Sequence, residues 1–254
     1  MKKKLINIII SIIFITGVGF IVYPTLSDYI NKIKQDKLIE EYQETVSNNT
    51  YKDVLEKAKE YNQEIGNNTK WELDEDETIK YNNCLNIDNN GIMGYIEIAK
   101  INVSLPIYHG TSESVLQVGV GHLAGSSLPI GGDSTHCVLS GHRGLPSAKL
   151  FTDLDQLEKG DTFMLKTLDM SLTYEIDQIV IVEPTDFSKL KIEDGKDYCS
   201  LVTCTPYGIN THRLIIRGHR IENKEIIEET NYSIYYLLLF IIVLIIVRFV
   251  LKKR

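Results

Sequence analysis

Two uncharged runs frame the chain. Residues 5–23, LINIIISIIFITGVGFIVY, carry no charged side chain and follow Lys2, Lys3 and Lys4. As a helix, such a run crosses a hydrocarbon core of about 30 Å. Residues 232–247, YSIYYLLLFIIVLIIV, are likewise uncharged, and the run extends to Leu251 if Arg248 snorkels toward the interface. Between the two the pattern changes three times. From Ser27 to about Ile65, apolar residues recur at helical steps, first Ile30, Ile33, Leu38, Tyr42 and Val46, then Val54, Leu55, Ala58 and Tyr61. The spacing predicts one or two helices, broken by NNT at 48–50. Residues 66–90 are acidic and Asn-rich without periodicity, and read as a long loop. After Gly91, short apolar runs closed by Gly and Pro predict strands: IMGYIEIAKI, VSLPIYHG, THCVLSG, TFMLKT, LTYEIDQIVIVEP, YCSLVTCTP and HRLIIRGHRI. Ser147 is placed to start a short helix after THCVLSG. Seven or eight short strands with little helix among them predict a closed barrel or a sandwich.

Charge orients this plan. Basic residues flank the outer end of each apolar run, so both termini are expected in the cytoplasm and residues 24–231 outside. Tyr232, Tyr235 and Tyr236 fall where an outer aromatic belt would lie. The N-terminal run is long for a signal peptide, and no Ala-x-Ala-like site follows it, which favours an uncleaved anchor. The formal net charge is −7 although the two tips hold seven positive charges, so the segment between them carries −14. That excess argues against a nucleic-acid partner, which needs clustered Lys and Arg. Four cysteines, Cys84, Cys137, Cys199 and Cys204, form no CxxC pair, and no metal site is expected. The Gly cluster at 119–132 lacks the Lys-Ser/Thr of a phosphate loop.

Candidate chemistry collects at strand ends. Cys204 closes one strand and Arg213 opens the next, so a hairpin would set them opposite each other. An arginine there can stabilise a thiolate and hold a tetrahedral oxyanion. Of six histidines, His142 ends its strand just as Cys204 does, and is the candidate general acid. Cys137 precedes His142 by five residues and Cys199 precedes Cys204 by five. Strands side by side in register would therefore set the active candidates on one rim and the other two cysteines on one level below, as buried thiols or as a disulfide. Each residue has a plainer reading: Cys204 as a packed thiol, His142 as a surface or capping histidine, and Arg213 as a solvated rim charge. The joint placement gives a cysteine nucleophile without naming a substrate.

The stretch SLVTCTPYGINTHRLIIRGHR (200–220) resembles the sortase signature, in which a Leu-x-Thr-Cys strand precedes an arginine strand. LSGHRGLPSAKLFTDLDQLEKGD (139–161) resembles that family's histidine segment, and the likeness runs from about Gly91 to Arg220. TCTPYGINTHRL, GHRGLPSAKLF and the C-terminal run are most similar to class C sortases, the pilin polymerases. The resemblance implies a mainly β fold, an eight-stranded closed sortase barrel with short helices, an N-terminal helical region and two flanking transmembrane helices. It implies a cofactor-free cysteine transpeptidase on the outer face of a Gram-positive cell membrane, acting on LPxTG-containing pilin or surface proteins. Cys204 would be the nucleophile, Arg213 the oxyanion holder, His142 the acid and base, and Thr203 a supporting residue. The accepting amine would be a pilin lysine.

The implied division is 1–23 tip and anchor, 24–65 helical region, 66–90 acidic loop and candidate lid, 91–222 catalytic barrel, 223–231 linker, 232–251 second span and 252–254 basic tail. Ser200 stands where the family usually has Thr, which keeps a hydroxyl. Class C members usually carry an Asp-Pro-aromatic lid, and residues 62–85 contain none; Trp71 with Asp74 or Asp76 is the candidate substitute. The alternatives are a sortase that joins surface proteins to peptidoglycan and a non-enzymatic two-span scaffold. A papain-type protease fits less well, because its histidine normally follows the cysteine.

Overall fold

The computed structural model describes residues 2–66 and 70–223. The expected second span (232–251), its linker beyond Asn223 and the basic tail lie outside these residues.

A single helix, α1 (Lys2–Ser47), carries the uncharged run of residues 5–23 and continues past Pro24 without a break. It is long and apolar enough, in its first half, to cross a membrane. Its second half turns amphipathic: Gln35, Ile39 and Tyr42, spaced by four and three residues, are the side chains it buries. Tyr42 reaches furthest, donating to the Met93 carbonyl at 3.0 Å and accepting from the Leu168 N–H at 2.8 Å. Helix α2 (Lys52–Ile65) buries Ala58, Tyr61 and Asn62, and Asn62 pairs with both backbone groups of Leu128.

Eight strands follow: β1 (Ile92–Ile98), β2 (Val103–His109), β3 (Val120–His122), β4 (Thr135–Ser140), β5 (Thr162–Thr167), β6 (Met170–Val182), β7 (Asp197–Thr205) and β8 (His212–Ile221). They close into a barrel in the order β1-β2-β3-β4-β7-β8-β6-β5, with β2–β3 and β4–β7 parallel and the other pairs antiparallel. Closure removes the free sheet edges. Alternation along the strands gives two apolar layers. Leu139, Leu201, Leu214 and Ile216 fill the interior, whereas Val138, Val202 and Ile215 point out and are covered by Phe187 and Leu190 from the β6–β7 connection. The mainly β, eight-stranded closed barrel is the architecture expected.

Two local expectations fail. Residues 75–83 are a helix, α3 (Glu75–Asn83), inside the segment read as loop. Asp74 accepts from the Glu77 N–H at 2.9 Å and Glu77 accepts from the Asp74 N–H at 3.0 Å, a capping box that starts a helix too short to show periodicity. Ser147 starts no α-helix: the Phe151 N–H, which would close a first turn on the Ser147 carbonyl, goes to the His142 carbonyl, and the Ser147 carbonyl accepts from Asn31 instead.

Candidate active site

Strand register brings the first pair together. In the β7–β8 hairpin Cys204 is the direct partner of Arg213. Both lie on the outward face, two residues from Val202 and Ile215 respectively. Cys204 is half-buried, while the other three cysteines are buried; all four are free thiols. The Arg213 guanidinium donates to the carbonyls of His212 (3.0 Å) and Asn210 (3.3 Å), which fold it back over the loop joining the strands.

His142 arrives on the neighbouring strand. β4 runs parallel to β7 with Cys137 opposite Cys199 and Ser140 opposite Val202, so the two cysteines share one level and His142 and Cys204 leave the barrel at one rim. The Gly141 N–H donates to the Val202 carbonyl at 3.1 Å, and the buried Thr203 hydroxyl donates to the Gly141 carbonyl at 2.8 Å. Thr203 thereby ties the residue before the histidine to the residue before the cysteine. The histidine loop closes on itself through the Phe151 N–H and the His142 carbonyl, 3.1 Å apart.

Two residues at this rim carried no sequence signal. Glu113, the first residue of α4 (Glu113–Leu116), holds the His142 Nε2 with both carboxylate oxygens at 3.3 Å. Hydrogen bonds from Gln117 and then His142 keep its carboxyl below the ordinary carboxylate range. Arg143 pairs with Asp155, donates to the Thr205 hydroxyl at 3.4 Å and lies 5.8 Å from the Tyr207 ring centroid. Gly144, at φ +76°, lies under the same ring, where an added Cβ would stand 3.0 Å from Tyr207. The histidine loop and the β7–β8 loop are thus locked together. Among the described residues no hydrogen bond reaches the Cys204 sulfur; the imidazole is turned to Glu113 in this resting arrangement.

Three other histidines are structural. His122 and His136 are fully buried; His122 bonds Tyr81 and the Ser127 carbonyl, and His136 bonds Ser200 and the Lys191 carbonyl. His109 lies between the carbonyls of Gly91 and Cys84, and burial lowers its pKa. His212 contacts Glu183 at 3.3 Å, and His219 lies 4.0 Å from Asp177.

A cleft of about 180 Å³ runs from Arg213 along the outward face. Val138, Ser140, Val202 and Ile215 form its floor, and Pro184, Phe187 and Leu190 form one wall. Its lining is mostly apolar and reaches Arg213, the strand partner of Cys204. Trp71 stacks on Phe187, with centroids 4.9 Å apart and planes at 25°, and packs against the same outer cluster. The strand of chain bearing it crosses Gly125 (φ +87°), where a side chain would collide with the Lys70 carbonyl. Asp74 is the N-cap of α3, and Asp76 is exposed in its first turn. Neither reaches Cys204 or Arg213 by a hydrogen bond. No group of His, Cys, Asp and Glu able to hold a metal ion occurs among the described residues.

Comparison with known proteins gives a consistent picture. A family model described as "Sortase domain" matches residues 96–221. The solved structure of sortase C1 from Streptococcus agalactiae is 54% identical, with TM-score 0.72, covering 74% of this chain and 100% of that one. Sortase C-1 from Actinomyces oris is 42% identical, with TM-score 0.64, covering 68% of this chain and 100% of that one. Sortase D from Bacillus subtilis is 38% identical over 131 residues, which are 50% of this chain and 63% of that protein.

Proposed function

The chain belongs to the sortase family of cysteine transpeptidases, and from that premise we propose that it is a class C member that cuts an LPxTG-like sorting signal and joins the released acyl group to a pilin lysine. The observation that carries the reading is the rim itself: a half-buried thiol directly opposite an arginine that lines an apolar cleft, with Gly141, the residue before His142, tied to the same corner by the Thr203 hydroxyl. The likeness to sortases C from several species supports the class.

In this reading the Cys204 thiolate attacks the carbonyl carbon between Thr and Gly. The oxygen becomes an oxyanion held by Arg213. Collapse breaks the C–N bond, His142 gives its proton to the departing glycine amine, and a thioester remains. An incoming lysine amine then attacks the thioester and His142 takes the amine proton. The new amide forms as the thiolate leaves. The thioester conserves the bond energy, so no cofactor enters. His142 must turn from Glu113 toward the thiol during the cycle.

Residues 70–83 act as the lid, with Trp71 supplying the aromatic plug and Asp74 starting the helix that backs it. α1 anchors the barrel in the membrane, the second span returns the chain to the cytoplasm, and the barrel faces outward. The basic residues that flank both apolar runs support this orientation.

The test is intact mass of the full chain after incubation with an LPxTG-type peptide. A thioester adduct on the wild type and none on Cys204→Ala is the expected result, followed by release when a lysine-bearing pilin fragment is added. Release to a peptidoglycan amine alone would reassign the enzyme to wall anchoring. An adduct that survives on Cys204→Ala would refute the assignment of the nucleophile.

A further inference from the structure

The polar contacts of α1 are distributed unevenly along its length. The first three beyond the uncharged run come from Asp28, Asn31 and Gln35, which share one helix face at steps of three and four. Asp28 Oδ1 accepts from the Lys149 N–H at 2.7 Å. Asn31 Nδ2 donates to the Ser147 carbonyl at 2.8 Å. Gln35 Nε2, on a buried side chain, donates to the Val118 carbonyl at 2.9 Å. Ser147 and Lys149 belong to the loop that His142 opens and Phe151 closes. Val118 follows α4, whose Glu113 holds the His142 ring. All three contacts therefore fall on the two segments that position the histidine. The apolar docking of Ile39 and Tyr42 on β1 comes only later along the helix.

The distances follow from helix geometry. At about 1.5 Å per residue, Asp28 stands roughly 8 Å and Asn31 roughly 12 Å beyond Tyr23, the last residue of the uncharged run. The helix is unbroken between them. The histidine loop is thus the part of the barrel bound nearest to the apolar end of α1, at a separation the helix fixes.

We infer that α1 is a ruler as well as an anchor: it fixes the histidine loop, and with it the mouth of the site, about 1–2 nm above the hydrocarbon boundary. The inference rests on the membrane-anchored transpeptidase reading above. It has a consequence for the substrate. An extended chain spans about 3.3–3.6 Å per residue, so a site at that height reaches peptide bonds roughly three to six residues outside a membrane-spanning segment. A substrate tethered in the same bilayer therefore needs about three or more residues between its span and the scissile bond, and the number rises with the height that α1 sets.

The experiment raises the site without touching it. Seven helix-forming polar residues are inserted between Leu26 and Ser27. They add about 10 Å and return the helix face to within about 20°. The full-length wild type and the insertion variant are reconstituted in lipid nanodiscs. Each is offered an LPxTG-type peptide free in solution, the same pentapeptide three residues outside a single-span segment, and the same with ten extra linker residues. The expected result is that the free peptide is cut by both at rates within about twofold, that the short-tethered substrate is cut at least about tenfold more slowly by the variant, and that the long linker restores the rate. Equal cleavage of the short-tethered substrate by both chains would overturn the ruler while leaving the transpeptidase standing. Failure of both on the free peptide would overturn the transpeptidase reading and the ruler with it.

Discussion

Six histidines compete for one catalytic task, and the structure separates them by what surrounds each ring. His136 is the clearest case. Its Nδ1 faces the Lys191 carbonyl, so that nitrogen carries the proton and Nε2 accepts from the Ser200 hydroxyl. Burial disfavours the charged ring and lowers its pKa from 6.5 to about 4. Unfolding lets the ring regain its ordinary affinity for protons, so the unfolded state binds more of them between these values. The stabilisation is present in full above pH 6.5 and is lost as pH falls toward 4, by on the order of 3 kcal/mol for this residue. Chemical denaturation of wild type and His136→Gln across that range is expected to show the variant's stability varying less steeply with pH; an identical slope would remove His136 from the acid response. His142 carries no such burial, and its strand-end placement in the sequence is what marked it as the candidate. Glu113 and Arg143 were not legible, because each acts across a gap of 29 and 12 residues respectively, along no periodic pattern.

Among the elements, the strands were readable and the helix inside residues 66–90 was not. Each long strand alternates between an interior filled by Leu and Ile and an outer face, and that pattern survives in the bare sequence. α3 is nine residues long with only Tyr81 buried, so its apolar signal is a single residue; the capping box at Asp74 and Glu77 was the available clue. Trp71 sits just before this helix, and its partner Phe187 lies in another loop, a pairing that no local pattern encodes. An offset aromatic stack adds about 0.5–1.5 kcal/mol to the closed arrangement, which corresponds to roughly a 2–10-fold preference over the open one. Trp71→Ala is therefore expected to speed alkylation of Cys204 by iodoacetamide, and peptide acylation with it, by about 2–10-fold. A rate that is unchanged would mean that the strand of chain at 70–74 does not guard the cleft.

Across the whole molecule, the barrel's strand order was out of reach of the sequence, since two of its pairings are parallel and β5 returns to β1 rather than following β4. What the sequence did hold was the equal five-residue offset from Cys137 to His142 and from Cys199 to Cys204, which the β4–β7 register converts into one rim. Closure between β1 and β5 is a short seam of three residue pairs, and α1 lies across it. The Tyr42 hydroxyl bonds the Met93 carbonyl on β1 and the Leu168 N–H in the β5–β6 turn, so one side chain spans both sides of the seam. Burial raises the phenol's pKa further, and the hydroxyl stays neutral and available as both donor and acceptor. Tyr42→Phe keeps the ring and its edge-on contact with Tyr95 but strands a buried N–H and a buried carbonyl. An unpaired buried group costs about 1–3 kcal/mol, and in a domain of this size each kcal/mol lowers the midpoint by about 2–4 °C. Calorimetry of the full chain in detergent is expected to show a drop of several degrees, with faster hydrogen exchange concentrated at residues 93–98 and 162–168. Exchange that rises evenly over all eight strands would mean that Tyr42 supports the barrel as a whole and that the β1–β5 seam is not its weak point.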